Sequence, residues 1–240
     1  MKYPLAIIIL LSVWGFTLPG QPTSTGVIKK MYSRYHGKWH TSLTFTQTTG
    51  RYRNDTLLKT DIWHERIVYP DMLRIDFGGD KAGNGIIYRG DSSFLFRNNK
   101  VVRATKDENE LIFFLGGMYF KTIDQVLAHF SALHFDLAKC HESTWKDKAV
   151  YVLGSATDDE KVNQLWIDKE KLVAVRYFKY DAKGKMEATF EEHKLLAGAW
   201  SETLCKFYID DKLLQTEVYQ DIKANQPIAK SVFDPALIGK

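Results

Sequence analysis

The sequence predicts a mainly β protein: a strongly curved antiparallel half-barrel with an N-terminal helix and a helical insert covering its concave face. Three observations lead there. From about His40 to Ile222 apolar and polar residues alternate with period 2, strand after strand. That alternation breaks clearly only at Asn109–Leu133 (NELIFFLGGMYFKTIDQVLAHFSAL), where apolar and helix-forming residues take over. The connections are short and rich in Gly, Asn and Asp, which favours an antiparallel meander over parallel crossovers. About a dozen twisted strands in succession curl into an open or partial barrel. Its concave face must then be filled by side chains, covered by helices or occupied by a ligand.

Taken in order, residues 1–20 (MKYPLAIIIL LSVWGFTLPG) carry Lys2, an apolar run from Leu5 to Phe16 and a small residue at Gly20. The run is too short for a membrane-spanning helix and suits a secretory signal peptide cleaved after Gly20, the alternative being an uncleaved N-terminal anchor. No cysteine lies there to anchor a lipid, so an exported, unanchored protein is expected, with residues 21–240 forming a single domain. Val27–His36 places Val27, Ile28, Met31, Tyr32 and Tyr35 at helical spacing, and Gly37 ends the helix.

Strands follow at Trp39–Thr49, with Trp39, Leu43, Phe45 and Gln47 on one face, and at Leu57–Tyr69, through Trp63, Ile67 and Tyr69. Leu73, Ile75 and Phe77 then alternate with Met72, Arg74 and Asp76. Gly85–Arg89, Ser93–Arg97 and Lys100–Ala104 complete the first run, with a hairpin signal at Asn98-Asn99. Beyond the insert, strands are expected at Ala149–Gly154, Asn163–Asp168, Leu172–Tyr180, Met186–Leu195, Glu202–Ile209 and Leu213–Ile222.

Composition and motifs exclude several function classes. The formal charge of +4, which falls to +3 when Lys2 leaves, is spread among interspersed acids and bases. No basic stripe tracks a phosphate backbone, so nucleic acid is not an expected partner. His64-Glu65 and His141-Glu142 have Val68 and Trp145 where a zinc protease needs a second histidine. Gly78–Gly85 lacks the Lys-Ser/Thr of a phosphate loop, and no G-x-S-x-G elbow exists. Catalytic residues, a metal site and a cofactor are therefore not expected, and the protein is read as a non-enzyme. Cys140 and Cys205 could form one disulfide or remain two separate buried thiols.

Several segments together resemble a known family. They are Met31–Gln47 (MYSRYHGKWHTSLTFTQ), Trp63-His64-Glu65, Leu73–Phe77 (LRIDF), Val150–Gly154 (VYVLG), Leu165–Leu172 (LWIDKEKL) and Phe233-Asp234-Pro235. In their order and spacing the chain resembles periplasmic proteins of the outer-membrane lipoprotein-sorting, LolA-like superfamily, in a branch less well characterised than the carriers. The resemblance implies a helix-lidded half-barrel whose concave face takes up acyl chains, here against Leu43, Phe45, Trp63, Ile67, Leu73, Ile75, Phe77, Phe94 and Phe96. Leu111, Ile112, Phe114, Leu115, Met118 and Phe130 would form the lid, with Gly116-Gly117 as its joint. Carriers of this kind use a sheet arginine that bonds to the lid, and Arg51, Arg53 and Arg74 are the candidates. The function implied is a periplasmic carrier or chaperone for lipoproteins or other acyl-chain-bearing lipids, acting as a monomer with a partner protein at the inner or outer membrane. The alternative is an envelope sensor or interaction module of the same fold without transport activity.

Overall fold

A computed structural model describes residues 21–80, 82–158, 161–182 and 184–240. The expected signal peptide, residues 1–20, lies outside the described residues. Helix α1 (Ser24–Tyr35) starts earlier than its apolar spacing suggests, because the Thr23 hydroxyl caps it by accepting from the Gly26 amide at 3.1 Å. Val27, Ile28, Met31 and Tyr35 are its buried stripe. The Ser24 hydroxyl fixes the helix to the sheet, donating to the Lys139 carbonyl at 2.5 Å and accepting from the Gly154 amide at 2.9 Å.

The first run of strands is β1 (Ser42–Arg53), β2 (Thr56–Val68), β3 (Met72–Phe77), β4 (Gly85–Arg89), β5 (Ser92–Arg97) and β6 (Lys100–Lys106). The insert follows as α2 (Glu110–Phe114), a 3₁₀ turn (Gly117–Phe120) and α3 (Ile123–Ala132). Asn109 caps α2, and a Thr122–Gln125 capping box starts α3. The second run is β7 (Asp136–Trp145), β8 (Lys148–Gly154), β9 (Gln164–Asp168), β10 (Ala174–Asp181), β11 (Gly184–Glu191), β12 (Lys194–Leu196), β13 (Ala199–Ser201), β14 (Leu204–Ile209) and β15 (Lys212–Ala224). Two 3₁₀ turns, Lys230–Phe233 and Pro235–Leu237, follow.

Thirteen strands form one curved, unclosed antiparallel sheet in the order β6-β5-β4-β3-β2-β1-β15-β14-β11-β10-β9-β8-β7. The chain meanders outward from β1 to the edge strand β6, then reappears at the opposite edge, β7, and meanders back to pair β15 with β1. The insert is thus the connection between the two free edges, and it crosses the concave side to make that connection. Its Ile112, Phe113, Phe114, Met118, Tyr119, Val126 and Phe130 join α1 and the inner sheet face in the main core. Several hairpins turn on pairs with positive φ that Asn and Asp tolerate: Asn54-Asp55, Asn98-Asn99 and Asp210-Asp211.

Three differences from the sequence expectation have local causes. Strand β7 escapes the alternation test because, as an edge, it buries only Cys140 among its residues. The strand expected at Met186–Leu195 ends at Glu191. Glu192 turns with a φ of 52°, and β12 and β13 form a separate small hairpin. The strand expected from Leu172 begins at Ala174, after a turn held by the Asp168 carboxylate, which accepts from the amides of Glu170 and Lys171 at 2.9 and 2.8 Å.

Candidate functional site

Alternation along β1, β2 and β3 brings apolar side chains into rows that cross the concave face. Leu43 pairs with Ile67, which pairs with Leu73, and Phe45 pairs with Glu65, which pairs with Ile75. These six residues form one wall of a cavity of about 110 Å³ beneath the insert. Leu111, Ile112 and Leu115 of the insert form its roof, and Asn109 stands at its edge. The opposite wall comes from β11, β14 and β15, through Phe190, Cys205, Phe207, Glu217, Tyr219 and Ile222. Ser201, Glu202 and Tyr69 complete the lining. The volume is well beyond the ~10–15 Å³ needed for a single water but short of the ~300 Å³ at which pockets for drug-sized ligands begin.

Polar ties hold the roof down. The Glu110 carboxylate receives the Tyr177 hydroxyl at 2.6 Å and the Lys179 ammonium at 2.5 Å, clamping the start of α2 to β10. The Tyr69 hydroxyl donates to the Leu115 carbonyl at 3.1 Å. Further along, the Tyr32 hydroxyl donates to the Lys121 carbonyl at 2.8 Å. Among the described residues, no arginine takes part. Arg51 lies over the Trp63 ring at 5.3 Å, Arg53 is exposed, and Arg74 bonds Asp76 and the Val232 carbonyl. The lid arginine implied by the resemblance is replaced here by tyrosines and a lysine.

The expected ligand residues separate into three groups. Leu43, Phe45, Ile67, Leu73 and Ile75 meet at the cavity, together with Leu111, Ile112 and Leu115 of the expected lid. Trp63 and Phe77 pack on each other at 4.6 Å in an open groove with Arg51 and Lys59, outside the cavity. Phe94 and Phe96, expected on the concave face, pack instead against the cluster of Ile87 and Phe233, beneath the C-terminal segment. The register explains this placement: Phe94 pairs with Ile87, which pairs with Arg74, so all three point away from Leu73 and Ile75. Phe114, Met118 and Phe130 are fully buried in the core above the sheet and do not reach the cavity.

The residues that alternation did not reveal are the acids. Glu65 is 6% exposed and sits among apolar neighbours, and burial, then Glu217 and Glu202, push its carboxyl well above the ordinary range. Glu202 is half-buried as a residue, and burial followed by Glu217 pushes its carboxyl up to about 7. Burial also raises Glu217, although it accepts from the Tyr219 hydroxyl at 2.9 Å and the Gln215 amide at 2.5 Å. A signal existed in the sequence, since Glu65 occupies the same period-2 register as Trp63 and Ile67. Cys205 lines the cavity as a buried free thiol, and Cys140 is likewise free, with four strands of the sheet between them. Among the described residues, no group of three or more His, Cys, Asp or Glu is arranged to hold a metal ion, and no helix is long and apolar enough to cross a membrane.

No family model and no curated protein matches the sequence. Solved structures do match. A DUF1329 family protein from Desulfovibrio piger aligns with a TM-score of 0.64 at 13% identity, covering 90% of this chain and 97% of that one. A putative outer membrane lipoprotein-sorting protein domain from Vibrio parahaemolyticus gives 0.58 at 12% identity, covering 90% and 98%. A LolA superfamily protein from Nitrosomonas europaea gives 0.52 at 12% identity, covering 89% and 98%. This chain shares their fold: one open, curved antiparallel sheet under a helical cover, the LolA-like half-barrel.

Proposed function

We propose that this protein is exported to the periplasm, where it binds and carries lipoproteins or other molecules bearing acyl chains. The observation that carries the reading is the apolar cavity between Ile67, Leu73 and Ile75 of the sheet and Leu111, Ile112 and Leu115 of the insert. Each buried CH₂ contributes about 0.8 kcal/mol, so a long acyl chain supplies roughly 10 kcal/mol before ordering costs. That needs more room than about 110 Å³. Loading therefore requires the roof to lift, and the roof is fixed mostly by the few polar bonds of Glu110 and Tyr69 and by apolar packing. The fold shared with the Vibrio lipoprotein-sorting domain supports a role in lipoprotein sorting, which needs no catalytic group.

The modest volume supports a second reading, an envelope sensor or interaction module whose cavity stays closed. One experiment separates the two. Purified protein is titrated with a fluorescent fatty acid and with a lauroylated peptide, beside an Ile75→Trp variant that fills the cavity. Saturable binding that weakens at least tenfold in the variant, a difference of ~1.4 kcal/mol, is expected for a carrier. Absence of binding, together with absence of co-purifying lipid by mass spectrometry, would sink the carrier reading and leave the interaction module.

A further inference from the structure

Acyl-chain binding does not require the three carboxyl groups that line this cavity. Glu65, Glu202 and Glu217 all face it, and its lining contains no Lys, Arg or His. Glu65 sits 6% exposed with no hydrogen-bond or ion-pair partner among the described residues, and lines the cavity beside Phe45, Ile67 and Ile75. A buried ionised carboxylate without a partner is strongly unfavourable, and water or a protein cation normally satisfies it. Ordinary ion pairs are formed elsewhere on this same sheet, Arg66 and Arg74 with Asp76 and Arg176 with Glu187, so the omission is specific to the cavity. Glu217 is oriented by the Tyr219 hydroxyl and the Gln215 amide, with the Gln47 amide and the Arg51 charge also favouring its ionised form. The three acids are not arranged to ligate a metal ion, which leaves an organic cation as the complement.

We propose that the cavity selects a cationic amphiphile: an aliphatic chain against Ile67, Leu73, Ile75 and Leu111, with a basic amine held by Glu65 and Glu202 and oriented by Glu217. This rests on the acyl-chain reading of the same cavity and adds the head group to it. Burial biases all three carboxyls toward the neutral form when no cation is present, and neighbouring acids add to that for Glu65 and Glu202. An entering ammonium reverses that bias, forming charge-assisted bonds in a dry site where they are strongest. Specificity then comes from exclusion as well as attraction. A carboxylate or phosphate placed at the same point would face three acids, whereas a neutral head group gains no charge-assisted bond.

The test uses the mature chain at pH 7 with three twelve-carbon amphiphiles and two diacyl lipids, each free amphiphile kept below its micelle concentration. Calorimetric titration with dodecylamine, dodecanol and dodecanoate is expected to rank dodecylamine at least tenfold tighter than the other two. In Glu65→Gln and Glu202→Gln that preference should shrink to within about twofold. Cooperative thermal unfolding of the variants confirms that they fold. Extraction of phosphatidylethanolamine in preference to phosphatidylglycerol from mixed vesicles would place the amine on a lipid head group. Binding of dodecylamine with no such extraction would place it on a free amine. Equal affinity for all three twelve-carbon probes, or a preference for dodecanoate, overturns the head-group proposal and leaves chain binding standing. No binding of any probe removes both.

Discussion

Glu65, Glu202 and Glu217 hold their protons to higher pH in the folded protein than in the unfolded chain, where a glutamate titrates near 4.5. Above that pH the native state binds more protons than the unfolded state, so these groups lower stability as pH rises, through about 7 for Glu202. Buried His40 and His193 act in the opposite direction. Burial takes both down to about 4, so they remain neutral in the fold and remove stability as pH falls below 6.5. Stability should therefore decline on both sides of mildly acidic pH. The variants Glu65→Gln and Glu202→Gln should gain over the parent at pH 8 and gain little at pH 5, at ~1.4 kcal/mol for each unit of pKa shift removed. That corresponds to about 2–4 °C per kcal/mol in a chain of this size. Thermal melts at the two pH values check it, and an equal gain at both would refute the assignment of these groups. At the same scale, Gly116 and Gly117 are not simply a flexible joint. A Cβ on Gly116, whose φ is 149°, would lie 2.3 Å from Trp39 Nε1, and one on Gly117 would lie 2.4 Å from the Pro70 carbonyl oxygen. They let the insert approach the sheet closely.

At the scale of elements, the insert is two pieces with different tenure. The 3₁₀ turn and α3 are fastened by large buried side chains, Met118, Tyr119, Val126 and Phe130 among them. Helix α2 also buries Ile112, Phe113 and Phe114, but it is only five residues long, below the length at which a helix holds itself together, and it relies on Asn109, the Glu110 clamp and that packing. Any opening should therefore begin at α2. Removing the clamp with Tyr177→Phe and Lys179→Met leaves a mostly buried Glu110 without its donors, a loss of about 1–3 kcal/mol. Hydrogen exchange is expected to accelerate over residues 110–116 while the amides of β8 to β11 stay protected. Uniform acceleration across the sheet would mean that the clamp supports the whole fold rather than a local lid.

For the whole molecule, curvature leaves two faces with separate coverings. The concave face is covered by the insert and α1, and one patch of the convex face is covered by the C-terminal segment. Phe233 is fully buried there against Ile87 and Phe96, and Arg74 secures the segment through the Val232 carbonyl at 3.1 Å. Phe233→Ala should cost about 3–5 kcal/mol, read in denaturant unfolding. Ligand affinity should be unchanged, because Phe233 lies on the other side of the sheet from the cavity. A loss of affinity in protein that remains folded would contradict this separation of faces.

Period-2 alternation by itself determined the mainly β class, the long meander and the grouping of Leu43 with Phe45, and of Leu73 with Ile75, on one face of their strands, because the pleat assigns alternate residues to opposite faces whatever the tertiary context. The break at Asn109–Leu133 likewise marked the helical insert to the residue, since caps and apolar spacing are local properties. What alternation leaves undetermined is which of the two faces is the inner one in a given strand. Phe94 and Phe96 have the same alternating character as Leu73 and Ile75, and only the pairing register put them on the convex side. Edge strand β7 carried too little burial to leave a pattern. The convergence of Glu65 from β2, Glu217 from β15 and Glu202 from the β13–β14 connection depends on β1 pairing with β15. That pairing joins the start of the meander to its end across more than a hundred residues, and no local pattern records such a contact.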